Sequence, residues 1–467
     1  MEVKPLRVLI MFVFLGVLWF LPAPWGVTIQ AWHLFAIFIT AILAVVIGAN
    51  PILTTAIIAV VMAIFTGVLD PVKAYSGFGK GFILLIVVAF LVASAVIKSG
   101  LGNRIAYMLI SKFGKSTLRL GYCMVLTDLL IAPAFPSNVA RSGVLYPITL
   151  ALARGGGSRV EDGTEKKMGS YLMMNCIAGF SLSSSLWLTG MVANPIGAKM
   201  AADAGVEGIT FGSWFLAASV PTLVAFIIVP FLIYKLFAPE VKETPEAPKA
   251  AAEELQKMGP MSRDEWITGI VFVGMVVLWA LSGKLGLDKT ATAFLGLAVL
   301  MIAGIFTLDD LKAHGGSALG TFIWFSILYT MSSQLNELGF MKAVGNQLAQ
   351  DLHGLSWPVV YVAIVSLYVV LHYVFVSQTA QMLALYTVFL GVAIQAGVPP
   401  MLMALMLLFA TNFFAAITPQ GSSANVLCAG SGYLAQGDMY RIGGLVTLIN
   451  MLIFLVVGTP WILLVVM

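Results

Sequence analysis

Pro133-Ala134-Phe135-Pro136-Ser137-Asn138-Val139-Ala140-Arg141-Ser142-Gly143 breaks an apolar stretch with prolines, hydroxyl and amide side chains and a full positive charge. The prolines stop an incoming helix, and Ser137-Asn138 stands where an N-cap belongs for an outgoing one. A second segment, Val376-Ser377-Gln378-Thr379-Ala380-Gln381, has the same polarity, and its serine follows Ser137 by 240 residues. Irregular backbone between apolar arms survives at membrane depth only where it lines a protein-enclosed cavity. Each tip is therefore read as the turn of a re-entrant hairpin, with arms near 117–132 and 139–153 and near 357–376 and 380–397, although hydropathy alone allows two crossings in each place.

The rest of the chain fits that reading. Of its 467 residues, 60% are apolar and 10% charged, against about 25% charged in soluble domains. Eleven further stretches are read as spans: near 8–22, 31–48, 52–69, 82–97, 168–191, 211–237, 266–283, 290–306, 320–338, 400–435 and 441–467. The expected fold is an all-α polytopic membrane protein of about eleven transmembrane helices plus two hairpins. Lys4 and Arg7 before the first apolar run imitate a signal peptide, but that run is read as a retained helix. Cys123, Cys176 and Cys428 lie in apolar stretches without paired spacing and are read as packing residues.

With the N-terminus inside, eighteen of the 25 lysines and arginines fall in cytoplasmic segments and six outside, as the positive-inside rule requires. The net charge of +4 reports this topology, so no nucleic-acid partner is expected. The hydrophilic segment 239–262 is a cytoplasmic linker containing a short surface helix, and it divides two similar halves. Leu69-Asp70-Pro71-Val72-Lys73-Ala74 reappears 239 residues later as Leu308-Asp309-Asp310-Leu311-Lys312-Ala313, and Ser99-Gly100-Leu101 matches Leu338-Gly339-Phe340 at the same spacing. The first Leu-Asp motif falls outside and the second inside, so the repeats are inverted. Inverted repeats with broken helices meeting at the midplane are the architecture of secondary transporters.

Each repeat holds a second break, Leu186-Trp187-Leu188-Thr189-Gly190-Met191-Val192-Ala193-Asn194-Pro195 and Ile417-Thr418-Pro419-Gln420-Gly421-Ser422-Ser423-Ala424-Asn425. Helix N-termini at the tips present free N–H groups and a positive dipole end to a cavity, which suits an anion. His33, Asp128, Arg141, Glu337 and His372 are the ionisable groups within apolar runs, where charge is normally functional or paired. Arg141 lies one helical turn past Ser137, and a place at the anion site is preferred to an ion pair with Asp128. His372 is read equally as a substrate contact or a satisfied buried histidine, and His33 and Glu337 as interfacial. Gly77-Phe78-Gly79-Lys80-Gly81 lacks the Gly-Lys-Ser/Thr ending of a phosphate loop. No Walker sequence, haem motif or metal-ligand cluster occurs, so neither a cofactor nor a metal is expected, nor an enzyme.

At the tips and breaks the sequence resembles the divalent-anion/sodium symporter family along nearly its whole length. That family's Ser-Asn-Thr signature at each hairpin tip is matched by Ser137-Asn138-Val139 and Ser377-Gln378-Thr379. The surroundings PSNVARSG, LTGMVANPIG, HYVFVSQTAQ and TPQGSSANVLCAGSGYL are most similar to the branch of citrate/succinate antiporters and 2-oxoglutarate/malate translocators. The resemblance implies that the tips and the loops at Thr189-Gly190 and Thr418-Pro419 hold a di- or tricarboxylate between them, and Arg141 and Asn194 are counted with them as substrate-binding residues. It implies a homodimer in a bacterial inner membrane, with membrane lipid around it and a transport part that moves as an elevator. The implied division is 1–30 as an N-terminal helix and loop, 31–110 scaffold, 111–238 transport part, the 239–262 linker, 263–350 scaffold and 351–467 transport part. Val139 replaces a threonine and Gln378 an asparagine of the signature, and both changes bear on sodium coupling. A fixed charge on Arg141 would substitute for sodium and favour exchange. A sodium-coupled symporter of the same fold, a channel and a membrane enzyme are the competing classes.

Overall fold

A computed structural model describes residues 5–351, 354–375 and 377–466. Val376 of the second tip and the C-terminal Met467 lie outside the described residues. All named elements are helical, and Ser116 and Glu243 form an isolated β-bridge. Eight helices among the described residues are long and apolar enough to cross a membrane, and three shorter apolar ones are Pro5–Phe20, Ile52–Phe65 and Lys289–Ile302.

Two differences from the expected spans have physical causes. The span near 400–435 is interrupted over several residues at its expected break: Pro400–Phe413 tightens into a 3₁₀ turn, Phe414–Ile417, unwinds, and resumes only as the short helix Asn425–Ala429. Gly169–Leu186 is helical but less apolar than the long spans, since Asn175, Ser181, Ser183, Ser184 and Ser185 are all buried against protein rather than lipid. Its polar side chains are neighbours of the site described below.

Equivalent positions of the two halves adopt matching backbone. Gly100 and Gly339 both take left-handed φ angles, +79° and +78°, where a side chain would be strained. The helix starts are close but not identical: Asp70 caps Pro71–Ala74, whereas the second-half helix Leu308–Glu337 starts two positions earlier in the repeat, capped by Thr307 with Asp310 closing the capping box. The halves then diverge. In the second the helix runs unbroken, whereas in the first it is interrupted through Ser76–Gly79 before Gly81–Ser99 begins. The interruption lets Gly77 donate its N–H to Thr330 Oγ1 at 2.9 Å, at a crossing where any Cβ would lie 2.2 Å from the Ser326 carbonyl. Lys98, at the end of the first-half helix, pairs with Asp310 at 2.7 Å. That hydrogen bond, with those from Thr307, holds the Asp310 carboxyl down at about 2.

The paired arms are Thr117–Ile131 with Asn138–Gly155, and Trp357–Val370 with Gln378–Gln395. Their bases lie at opposite ends of the 27-residue helix Phe211–Phe237, roughly 40 Å long at 1.5 Å per residue. Beyond its C-terminus, Thr117 N–H donates to Lys242 O at 2.9 Å, and Thr244 N–H to Lys115 O at 3.0 Å. Before its N-terminus, Gly208 packs against Met401, which follows the second pair.

The linker helix Glu246–Met258 lies along Leu101–Phe113. Arg104 fastens its end: the guanidinium meets Glu265 at 2.6 and 3.0 Å and donates to Gly259 O at 3.0 Å. Both side chains are nearly inaccessible. At the other terminus, Trp19 stacks on His33, whose Nε2 lies 3.1 Å from the Trp19 carbonyl, so His33 docks the first helix. Because a buried carboxylate that loses its partner costs ~3–5 kcal/mol, Arg104→Ala is expected to lower the melting temperature of the detergent-solubilised protein markedly. Arg104→Lys should recover part of the loss, as read by a thermal-shift assay.

Candidate functional site

The two tips meet. Ser137 accepts a hydrogen bond from Ala140 N–H, and Ser377 accepts one from Ala380 N–H, both at 3.3 Å, so each serine is the N-cap of its outgoing arm. Asn138 Nδ2 donates to Gln378 Oε1 at 3.3 Å, joining one tip to the other. The first N–H groups of each outgoing helix have no acceptor within that helix, and the dipoles of both point to the same place.

That place is a cavity of about 520 Å³. Ser137, Asn138 and Val139 line it from one side and Ser377, Gln378 and Thr379 from the other. Val139 is 47% exposed and puts a methyl group where Thr379, its counterpart, puts a hydroxyl. The break loops contribute Met191, Val192, Ser422 and Ser423. The remaining wall comes from Phe90, Ser94 and Ile97 on Gly81–Ser99 and from Ala313, Thr321, Trp324 and Phe325 on Leu308–Glu337. Ser422 and Ser423 belong to a break visible in the sequence, but the wall residues on the two long helices carry no local signal.

Arg141 is the principal correction. It does not line the cavity but is completely buried behind the first tip, with Nε 2.9 Å from Asp128 Oδ1. The ion pair is thus the arrangement present. Nη2 donates to Asn138 Oδ1 and Ser184 Oγ at 2.7 Å and to Ser183 Oγ at 3.1 Å. Nη1 reaches the carbonyls of Phe135, at 3.0 Å, and Gly190. Ser183 in turn donates to Asp128. The guanidinium therefore fills a cage of oxygens that the proline-stopped arm and the broken helix leave open, and Asp128 cancels its charge. Arg141 positions Asn138 and does not present a free cation to the cavity.

The other expected contacts also support the loops rather than line the central cavity. Thr189 donates to Pro133 O at 3.0 Å, satisfying a carbonyl beside the tip. Asn194 donates to the Ser184 and Trp187 carbonyls at 2.9 and 3.1 Å. Asn425, 231 residues further on, does the same to Ala415 and Thr418 at 2.7 and 3.1 Å. Gly190 O is held by Arg141, and its counterpart Gly421 O lies 2.9 Å from His372 Nε2. His372 Nδ1 lies 2.7 Å from Gln381 Oε1, so His372 is a satisfied buried histidine. Thr418 is buried and Pro419 half-buried, and neither lines the cavity. Glu337 accepts from Gln334 at 2.7 Å.

Paired broken helices around one cavity, within a bundle of apolar helices, define a multi-pass membrane protein of transporter architecture. Residues 2–467 match the family described as the sodium:sulfate symporter transmembrane region, and the chain belongs to that family. Over 446 residues it is 41% identical to the putative malate transporter YflS of Bacillus subtilis, covering 95% of this chain and 93% of that protein. Over 448 residues it is 39% identical to the chloroplastic dicarboxylate transporter 1 of Arabidopsis thaliana, covering 95% and 80%. Among solved structures, the Neisseria gonorrhoeae MtrF efflux pump superimposes with a TM-score of 0.61 at 15% identity, covering 87% of this chain and 85% of that one. The Alcanivorax borkumensis YdaH transporter gives 0.58 at 13% identity, covering 84% and 87%. The likeness to these two structures is one of fold.

The buried pair makes a specific demand on stability. Removing one partner strands a charge, at a cost of ~3–5 kcal/mol, whereas removing both strands none. Asp128→Asn and Arg141→Gln are each expected to lower the melting temperature strongly, and the double variant by less than the sum of the singles. Additive losses in a thermal-shift series would show that the two side chains act independently.

Proposed function

We propose that this protein is a secondary transporter exchanging di- or tricarboxylates of the 2-oxoglutarate, malate, succinate and citrate class across a bacterial inner membrane. The observation that carries this reading is the convergence of two helix N-termini, one from each half, on a single cavity joined by Asn138 and Gln378. Each N-terminus is equivalent to roughly +0.5 elementary charge, so a small dianion can meet one carboxylate-binding end on each side. The names of the relatives, malate and dicarboxylate transporters, favour the same class.

The arms are re-entrant hairpins in an inverted repeat on this reading, because tips that touch while their bases lie at opposite ends of Phe211–Phe237 leave neither pair room to cross. The cavity reaches Ile97 and Ala313, beside the cytoplasmic Lys98 and Lys312 of the charge count, which supports an inward-facing state. Residues 31–110 and 263–350 form the scaffold, while 111–238 and 351–467 carry the site as an elevator. That motion and a homodimeric assembly rest on the family resemblance.

Exchange is favoured over sodium symport by the local chemistry. The cage beside the first tip already holds a cation, Arg141, so its oxygens are not free for sodium. Val139 and Gln378 depart from the symporter signature at the same tips. Since Asp128 neutralises Arg141, the force that couples loading to movement is instead the pair of helix N-termini, where each serine caps one N–H and leaves the first N–H groups without an acceptor in the helix. An empty site leaves their N–H groups unsatisfied in a low-dielectric crossing, and a bound dianion satisfies them.

In proteoliposomes, uptake of labelled succinate or malate should require a dicarboxylate inside and should be unaffected when sodium is replaced by potassium or choline. Sodium-driven accumulation into vesicles lacking internal dicarboxylate would select the symporter reading. Thr379→Ala is the cleanest site variant, since Thr379 lines the cavity whereas Asn138 also holds Arg141. Loss of one buried polar partner, ~1–3 kcal/mol, should weaken apparent substrate affinity roughly five- to hundredfold in the same assay while leaving the melting temperature unchanged.

A further inference from the structure

A second cavity, of about 240 Å³, lies between the same two parts of the molecule at their opposite end. Gly81–Ser99 touches both: Phe90, Ser94 and Ile97 line the central cavity, while Phe82 and Leu85 line the second. The break loop lies between them, with Met191 and Val192 facing the central cavity and Leu188 and Thr189 the other. The second cavity therefore occupies the outer side of the partition that closes the site from that face.

Its chemistry is cationic. Lys289 lines it from the scaffold and Lys199 from the helix that follows the break. Lys199 is paired with Asp203, one turn along its own helix, and Asp203 also accepts from Tyr329 at 2.7 Å. For Lys289, no carboxylate partner occurs among the described residues. Its neighbour Asp288 is engaged as the N-cap of Lys289–Ile302, accepting from Ala291 N–H at 2.7 Å. The Lys289 backbone is fixed by Trp279, whose indole donates to its carbonyl at 3.0 Å. An ammonium in the first turn of a helix opposes the helix dipole, so local stability does not account for it.

We propose that this cavity is an outer anion site, which takes a carboxylate group of the incoming substrate at Lys289, with Lys199 opposite. The proposal rests on the transporter reading above and adds the residues that receive substrate at the outer face. One carboxylate on Lys289 leaves the second free to meet the site behind the loop when the moving part exposes it. Charge placed at the mouth of a narrow cleft also raises the local concentration of anions.

Succinate uptake is to be compared in right-side-out and inside-out membrane vesicles. Lys289→Gln is expected to raise the half-saturating concentration at the outer face at least fivefold relative to that at the inner face. Lys289→Arg should bring the ratio back within twofold of wild type, and raised ionic strength should shrink the difference. An unchanged ratio, an equal rise at both faces, or failure of arginine to restore it would overturn the proposal. A second measurement does not depend on transport. In a chain whose three cysteines are replaced, Ala202→Cys places a thiol in the cavity lining. An anionic thiosulfonate should label it several-fold faster than a cationic one from outside, Lys289→Gln should abolish that preference, and succinate should slow labelling. Equal rates for the two reagents would overturn the outer site even if the protein transported another anion. Absence of dicarboxylate exchange by wild type in both vesicle types, with the labelling preference intact, would instead overturn the transporter reading of the central cavity.

Discussion

Backbone that stops being helical inside a membrane must find partners within the protein, and in the first half of the site one guanidinium ties together the tip, the incoming arm and the break. Arg141 binds the carbonyl where the incoming arm ends, the carbonyl where the next helix breaks, and the side chain that begins the outgoing arm. Asp128 makes that cation tolerable at zero exposure. Without the pair, the tip, the break and the serine-rich helix Gly169–Leu186 would have no common anchor. A buried ion pair is a weak source of net stability. Its use here is to hold three irregular segments in one geometry.

The second half solves the same problem with neutral groups. Gln381 stands where Arg141 stands, and it contacts His372, which in turn reaches the Gly421 carbonyl. Gln381 also donates to Tyr368 O at 2.6 Å, and Tyr368 occupies the place of Asp128. Asn194 and Asn425 perform identical work on the two breaks, each tying two freed carbonyls with one carboxamide. The halves thus share their backbone solution and differ in charge. That difference places a built-in cation on one side of the cavity only.

The polar bonds that cross from the helix Leu308–Glu337 to the helices beside the cavity's tips and breaks are few among the described residues. Tyr329 and Asn336 both reach Asp203, and Ser332 reaches Leu383 O at 3.5 Å. The rest of that seam is apolar packing, including the T-shaped contact of Phe82 with Tyr329. Apolar contact is non-directional, so one face can slide over another without leaving a hydrogen bond unmade. Within each part, by contrast, the polar bonds are dense. The hydrogen bonds thus concentrate around the tips and breaks and thin out along this seam.

The membrane class, the tips and the breaks are legible in the chain itself, because each is written in local chemistry. Apolar runs, prolines, N-cap serines and glycines constrain their own few residues wherever the chain goes. The sequence also placed both tips at one site, since Ser137 and Ser377 occupy equivalent positions in their repeats. Local chemistry did not decide which polar residue faces the cavity and which faces the protein. Arg141, Asn194 and Thr189 read from sequence as contacts to an anion, yet the freed carbonyls of neighbouring segments claimed them. Ser94, Trp324 and Phe325 gave no signal at all, being ordinary members of long helices. A side chain's partner is set by what is packed against it, and for these residues the partners lie tens to hundreds of positions away. Only the tertiary structure brings those groups within hydrogen-bonding distance, and so only it separates the lining of the site from its supports.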